Sequence, residues 1–209
     1  MGALDRWQAV AQTPELLEFF EGLFGRIGVR VVDTGEEFVC EQKQGSIELT
    51  PGLTDNVDFV VEITTEKVER LGDEAATGRL SELEKYRVLR TMLGTPLDFS
   101  ASLMNNRLLC NAAARRLLRV VDTAHIFFRS PSPEEPDEEY TLAFRNGKWT
   151  IGPGLHGTPE RKIELDVDST LEFHRRTLAL KRNPGIVQSL RYTAWYVPWR
   201  RRVSARVSG

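Results

Sequence analysis

The side chains able to do nucleophilic, acid–base or metal chemistry near neutral pH are few in this chain, and they are scattered. There are three histidines, His125, His156 and His174, and two cysteines, Cys40 and Cys110. A metal site draws its ligands from short fixed spacings such as H-E-x-x-H or paired C-x-x-C, and none of these five residues stands in such a setting. The two cysteines lie too far apart to form a knuckle or a redox pair. Cys40 sits in a β-prone run and Cys110 in a helical one, so both read as thiols packed like small hydrophobes, at home in a reducing, cytoplasmic compartment. The chain contains no G-x-S-x-G, G-x-G-x-x-G or G-x-x-x-x-G-K. Gly152–Pro153–Gly154 is a turn, because proline lacks the N–H that phosphate cradling needs. The balance is against an enzyme, with no catalytic residue, metal or cofactor expected.

What remains is apolar and aromatic. Phe19, Phe20 and Phe24 fall on one face of a helix that Thr13 caps and Pro14 opens. Such a face is either plain core or the wall of a site for an apolar ligand, since such sites are mostly aliphatic and aromatic. Leu97, Phe99, Leu103 and Met104 supply a second adaptable stretch, and Phe59, Val61 and Ile63 form one side of a strand. Near the end, Trp195 and Trp199 stand beside Arg200, Arg201, Arg202 and Arg206. Rings next to cations suit an anionic membrane surface. They also suit an internal strap in which the indoles are buried and the arginines solvated, and the strap is the expected arrangement.

The elements that position these residues can be read from periodicity and turn chemistry. After the first helix, expected to run from Pro14 to Phe24, short β runs occupy 28–33, 37–42, 46–50 and 58–64, separated by Thr34–Gly35, Gln44–Gly45 and Pro51–Gly52. Helix follows from Glu66 and dominates 80–119. A second meander takes in 123–129, 140–145, 148–151 and 162–167, with an exposed Ser/Pro/Glu loop at 130–137. Asp168 or Ser169 is the expected cap of the next helix, which Asn183–Pro184–Gly185 ends. The tail is helical at first and then breaks at Trp195–Trp199.

The 209 residues are 41% hydrophobic, with a net charge of −2. No apolar run approaches the ~18–20 residues of a membrane span, and no charged-then-apolar opening suggests a secretory leader. Charge is uneven along the chain. Residues 1–74 carry 16 acidic and 6 basic side chains, and residues 170–209 carry nine basic ones against Glu172 alone. Only the tail is basic and the pI is near 6.0, so nucleic acid is not an expected partner.

Sliding the chain on itself by 102 positions lays Glu36–Ile63 on Glu138–Leu165 without a gap, with seven of 28 positions identical. The matches include the turn residues Gly45/Gly147 and the contiguous Pro51–Gly52–Leu53/Pro153–Gly154–Leu155. The reading is an α+β chain of two related halves, 1–120 with a full helical cover and 121–209 truncated, ending in the basic aromatic tail.

Hairpin, Pro-Gly break, strand and capped helix, running from Val29–Arg30–Val31–Val32 through Asp58–Thr65 to Leu71, resemble the sterol carrier protein-2 lipid-transfer family. The resemblance covers Pro14–Arg119, and Thr123–Arg191 more loosely. It implies an N-terminal helix, a five-stranded mixed sheet covered by helices on one face, and an apolar tunnel between them. The chain departs from the family after Thr77–Gly78–Arg79, where a charged helix takes the place of a further strand. What the resemblance implies is non-enzymatic binding or carriage of a lipid or other apolar small molecule. The lining would then be Phe19, Phe20, Phe24, Phe59, Val61, Ile63, Leu97, Phe99, Leu103 and Met104. The alternatives are an interaction module without a cavity, and an enzyme on an apolar substrate. Homo-oligomerisation is left open.

Overall fold

The computed structural model describes residues 2–118 and 120–205. The first elements are helices α1 (Ala3–Val10) and α2 (Pro14–Phe20), strands β1 (Arg26–Val31), β2 (Glu37–Lys43), β3 (Ser46–Pro51) and β4 (Phe59–Ile63), then helices α3 (Thr65–Ala76) and α4 (Glu82–Met92). The sequence of elements then begins again with α5 (Gly94–Met104), α6 (Ala112–Leu118), β5 (Thr123–Phe128), β6 (Glu138–Arg145), β7 (Lys148–Pro153), β8 (Arg161–Leu165), α7 (Val167–Arg182) and α8 (Ile186–Ala205). The α+β class stands. Each sheet is mixed and four-stranded, one strand fewer than the resemblance implies, in the orders β3-β2-β1-β4 and β7-β6-β5-β8.

The chain divides into two compact units, Met1–Met92 and Leu93–Gly209. The expected boundary at residue 120 therefore moves, and the reason lies in what α5 and α6 touch. Asn105, just past α5, accepts from the Trp149 backbone N–H at 2.7 Å and donates to its carbonyl at 2.9 Å, holding the edge strand β7. Arg115 on α6 lies 3.7 Å over the Phe144 ring and pairs with Asp122 at 2.8 Å. With these helices assigned to the second sheet, the second half is not truncated: each unit reads two helices, four strands, two helices.

The sheets correspond in detail. Val29 lies opposite Phe38 and Val61, and Ile126 lies opposite Tyr140 and Ile163. Residues 37–63 keep an offset of 102 from their counterparts, whereas β1 and β5 are 97 apart, because the loop after β5 is five residues longer. Helix packing corresponds too. In the first unit α1 packs on α3 and β3, and α4 on β4; in the second α5 packs on α7 and β7, and α8 on β8.

Local chemistry explains the ends. Gly22, at φ +74°, breaks the helical periodicity, so α2 stops at Phe20 while Leu23 and Phe24 are buried outside it; a run to Phe24 had been expected. Asn146 and Gly147, both with positive φ, turn the β6–β7 hairpin. Thr64 caps α3. Asp166 caps α7 by accepting from the Ser169 N–H at 2.9 Å, two residues earlier than expected. Helix α8 does not break at Trp195–Trp199 but continues through Pro198 to Ala205. Proline there removes one hydrogen bond from the ladder, and burial of Trp199 and Val203 holds the turns that follow it. Arg119 and Arg206 lie outside the described residues.

Candidate functional site

Of the ten expected lining residues, six fall in the first unit and four in the second. In the first unit Phe19, Phe20 and Phe24 are at most 5% exposed and pack on one another, with ring centroids 5.2 Å (Phe19–Phe20) and 5.5 Å (Phe20–Phe24) apart; Trp7 of α1 adds a fourth ring 6.0 Å from Phe20. Phe59, Val61 and Ile63 share one sheet face with Ile27, Val29 and Val31, Val61 buried and the other two half-buried. Leu97, Phe99, Leu103 and Met104 belong to α5 of the second unit. Leu97 is buried there, Phe99 and Met104 are half-buried, and Leu103 is exposed.

The tail residues sit on α8, whose inward side is aromatic. Trp199 is buried and stacks on Phe173 of α7, centroids 5.3 Å apart and planes 15° from parallel. Trp195 is half-buried and donates its indole N–H to Glu172 at 2.6 Å, and Arg202 pairs with the same carboxylate at 3.2 Å. Tyr192 and Tyr196 stack beside them. Tyr192 and Thr177 are hydrogen-bonded at 3.2 Å, and burial pushes the Tyr192 phenol up to about 12 against that bond. The expected burial of both indoles is thus found for Trp199 and not for the half-buried Trp195. Arg200 is half-buried, and Arg201 and Arg202 are exposed.

The other side of α8 is the feature that the sequence reading missed. At 100° per residue, positions 186, 190, 194 and 197 fall in one stripe with 187 at its margin. Ile186 is 82% exposed, Leu190 66%, Val187 60% and Val197 39%, and Ala194 is also exposed. Arg201 continues the stripe, Arg191 and Arg202 run along one flank, and Arg200 lies on the other. The helix has four arginines and no acidic residue. One face is therefore aromatic and covered, and the opposite face aliphatic, cationic at its margins and open. The signal was available in the spacing of 186, 190, 194 and 197, but the expected break at Trp195 cut that pattern short.

Helix α4 is the internal comparison. It packs on β4 as α8 packs on β8, yet none of its large hydrophobic residues is exposed, and a Glu82–Lys85 pair lies on its surface. The position in the fold does not require an aliphatic outer face. Nine of the eleven exposed large hydrophobics among the described residues belong to the second unit, which carries 18 basic and 12 acidic residues, whereas the first carries 10 and 18.

Polar clusters elsewhere have structural work. An open groove of about 450 Å³ runs along α3 past Glu66, Glu69, Arg70, Asp73, Glu74 and Thr77. Asp73 there pairs with Arg6, and Glu74 accepts from the Ser81 hydroxyl at 2.8 Å. Glu84, 2% exposed, is held by Arg70 at 2.8 Å and Arg87 at 3.3 Å. His156 donates its backbone N–H to the Thr141 hydroxyl at 2.9 Å, and its carbonyl lies 3.4 Å from the His125 ring, which fixes the loop after β7. His174 of α7 is fully buried. Among the described residues no group of three or more His, Cys, Asp or Glu is placed to hold a metal ion, and no helix is long and apolar enough to cross a membrane.

No protein-family model, no curated protein and no solved structure matches this chain.

Proposed function

We propose that this protein binds a lipid or similarly apolar molecule without transforming it, in the cytoplasmic compartment, and that the contact surface is the outer face of α8. The observation that carries this reading is the open stripe of Ile186, Val187, Leu190 and Val197. An apolar helix face is stable against water only at a cost of about 25 cal/mol per Å², and a helix apolar on both sides ordinarily has both covered. The resemblance to the sterol carrier protein-2 family points to the same class of ligand by a different geometry, a tunnel between sheet and helices. Mutual packing of Phe19, Phe20 and Phe24 favours the surface over the tunnel, because those rings already occupy one another's contact area. The two free cysteines agree with a reducing compartment.

Association of the full chain with dodecylphosphocholine micelles, whose head groups are zwitterionic, tests the apolar contact by itself. Micelle binding should be seen by gel filtration and lost in the Ile186→Ser/Leu190→Ser double variant. A chain that ignores micelles and co-purifies with no lipid in native mass spectrometry would remove the reading.

A further inference from the structure

We infer that the occupant of the α8 stripe is the surface of an anionic bilayer, with the helix lying in the plane of the head groups. This rests on the apolar-contact reading above and adds the chemistry of the partner. An interfacial helix needs an aliphatic face about a head group deep, cations at the boundary between that face and water, and no carboxylate to repel lipid phosphate. Helix α8 meets each requirement on named residues. Ile186, Leu190, Ala194 and Val197 would enter the acyl boundary. Arg191 on one margin, Arg200 on the other and Arg201 at the end stand where guanidinium groups reach phosphate oxygens, Arg202 beside Arg191 being paired with Glu172, and no acidic side chain interrupts the helix.

Two further observations support a lipid surface over a monomeric ligand. The opposite side of α8 is already committed: Trp199 and Phe173 are stacked and Val203 is 1% exposed, so the helix is held from behind while Ile186, Val187 and Leu190 stay at least 60% exposed. A single lipid would keep most of its chain in water on such a stripe, whereas a bilayer covers it completely. The basic charge is also concentrated in the unit that bears the stripe, with a net of +6 on Leu93–Gly209 against −8 on Met1–Met92. An anionic surface attracts that unit at long range before apolar contact forms.

Co-sedimentation of the full chain with vesicles of phosphatidylcholine alone, and of phosphatidylcholine with about one-third phosphatidylglycerol, separates the outcomes. Binding to the mixed vesicles should exceed binding to the neutral ones by at least about tenfold at low salt, and shrink as the Debye length falls toward about 3 Å at 1 M salt. Arg191→Gln/Arg201→Gln should weaken it by about fivefold per arginine, and Ile186→Ser/Leu190→Ser by at least about tenfold, with melting temperatures unchanged because all four residues are exposed. Equal binding to both vesicle types, or micelle binding without vesicle binding, overturns the inference and leaves the apolar-contact reading standing. Failure with micelles and vesicles alike removes both. Concentration-dependent dimerisation in gel filtration that Ile186→Ser/Leu190→Ser abolishes would assign the stripe to a second copy of the chain and likewise overturn the inference.

Discussion

Single groups in this protein already set how its stability responds to pH. Burial pushes the Cys40 thiol from its ordinary 9.0 up to about 12, and Tyr192 from 10.0 to about 12. Each then stays protonated in the folded chain while its unfolded counterpart ionises. Stability from these groups is complete below about pH 9 and declines as pH climbs toward 12, at up to about 1.4 kcal/mol per pH unit per group. Cys40→Ala should flatten part of that alkaline slope in urea titrations between pH 8.5 and 11; an unchanged slope would mean that the thiol is not buried in solution. Asp33 works at the other end. Its carboxylate accepts the Thr65 N–H at 3.0 and 3.2 Å at the start of α3, and that bond holds it below its ordinary 3.8. Its contribution is present above pH 3.8 and lost as pH falls through the folded value. A carbon-detected NMR titration placing Asp33 at or above 3.8 would contradict the bond.

At the scale of elements, the two sides of α8 should respond in opposite ways to substitution. Trp199→Ala removes a stacked, 4%-exposed indole and should cost about 3–5 kcal/mol, read as a fall in the denaturation midpoint. Trp195→Ala should cost less, because that ring is half-buried and its main polar contact is the Glu172 carboxylate. Leu190→Ser, on the open stripe, should stay within about 0.5 kcal/mol of the parent. In the first unit, Val61→Ala on the covered face of β4 should cost about 1–3 kcal/mol, and a loss under about 0.5 kcal/mol would place that face in solvent. Strand edges behave differently again. Arg30 ties Glu37 and Glu62 together across three strands at 2.8 and 3.1 Å, but the groups are exposed, and such pairs contribute little after solvent screening.

For the whole molecule the governing quantity is the separation of charge between the units. A net charge of −2 would predict no retention on a cation exchanger at pH 7, whose matrix is itself negative. The second unit, at net +6, predicts retention nonetheless, because adsorption follows the local patch and not the sum. The full chain should therefore bind both cation- and anion-exchange matrices at 20 mM salt and leave both by about 0.3 M, as screening shortens the reach of each patch. Flow-through from the cation exchanger at low salt would show that the arginines of α8 are neutralised within the protein. The equal element order of the units adds a second expectation. Each has its own sheet and buried core, so destabilising one by Val61→Ala and the other by Trp199→Ala should give additive losses in the double variant.

Much of this architecture was legible in the amino-acid order because it depends on neighbours along the chain. Turn chemistry at Gly45 and at Gly147 placed the β2–β3 and β6–β7 hairpins, and alternation put Phe59, Val61 and Ile63 on one face. The decisions that escaped were made by residues distant in sequence. Asn105 gripping Trp149 and Arg115 lying over Phe144 drew α5 and α6 into the second unit, which no local pattern could announce. Phe173 stacking on Trp199 kept α8 continuous through Pro198, where propensity alone favours a break. That continuity in turn aligned Ile186, Leu190, Ala194 and Val197 on one side. The residues that could bind an apolar surface were always in the sequence, but which of them face water is a property of what the rest of the helix is packed against.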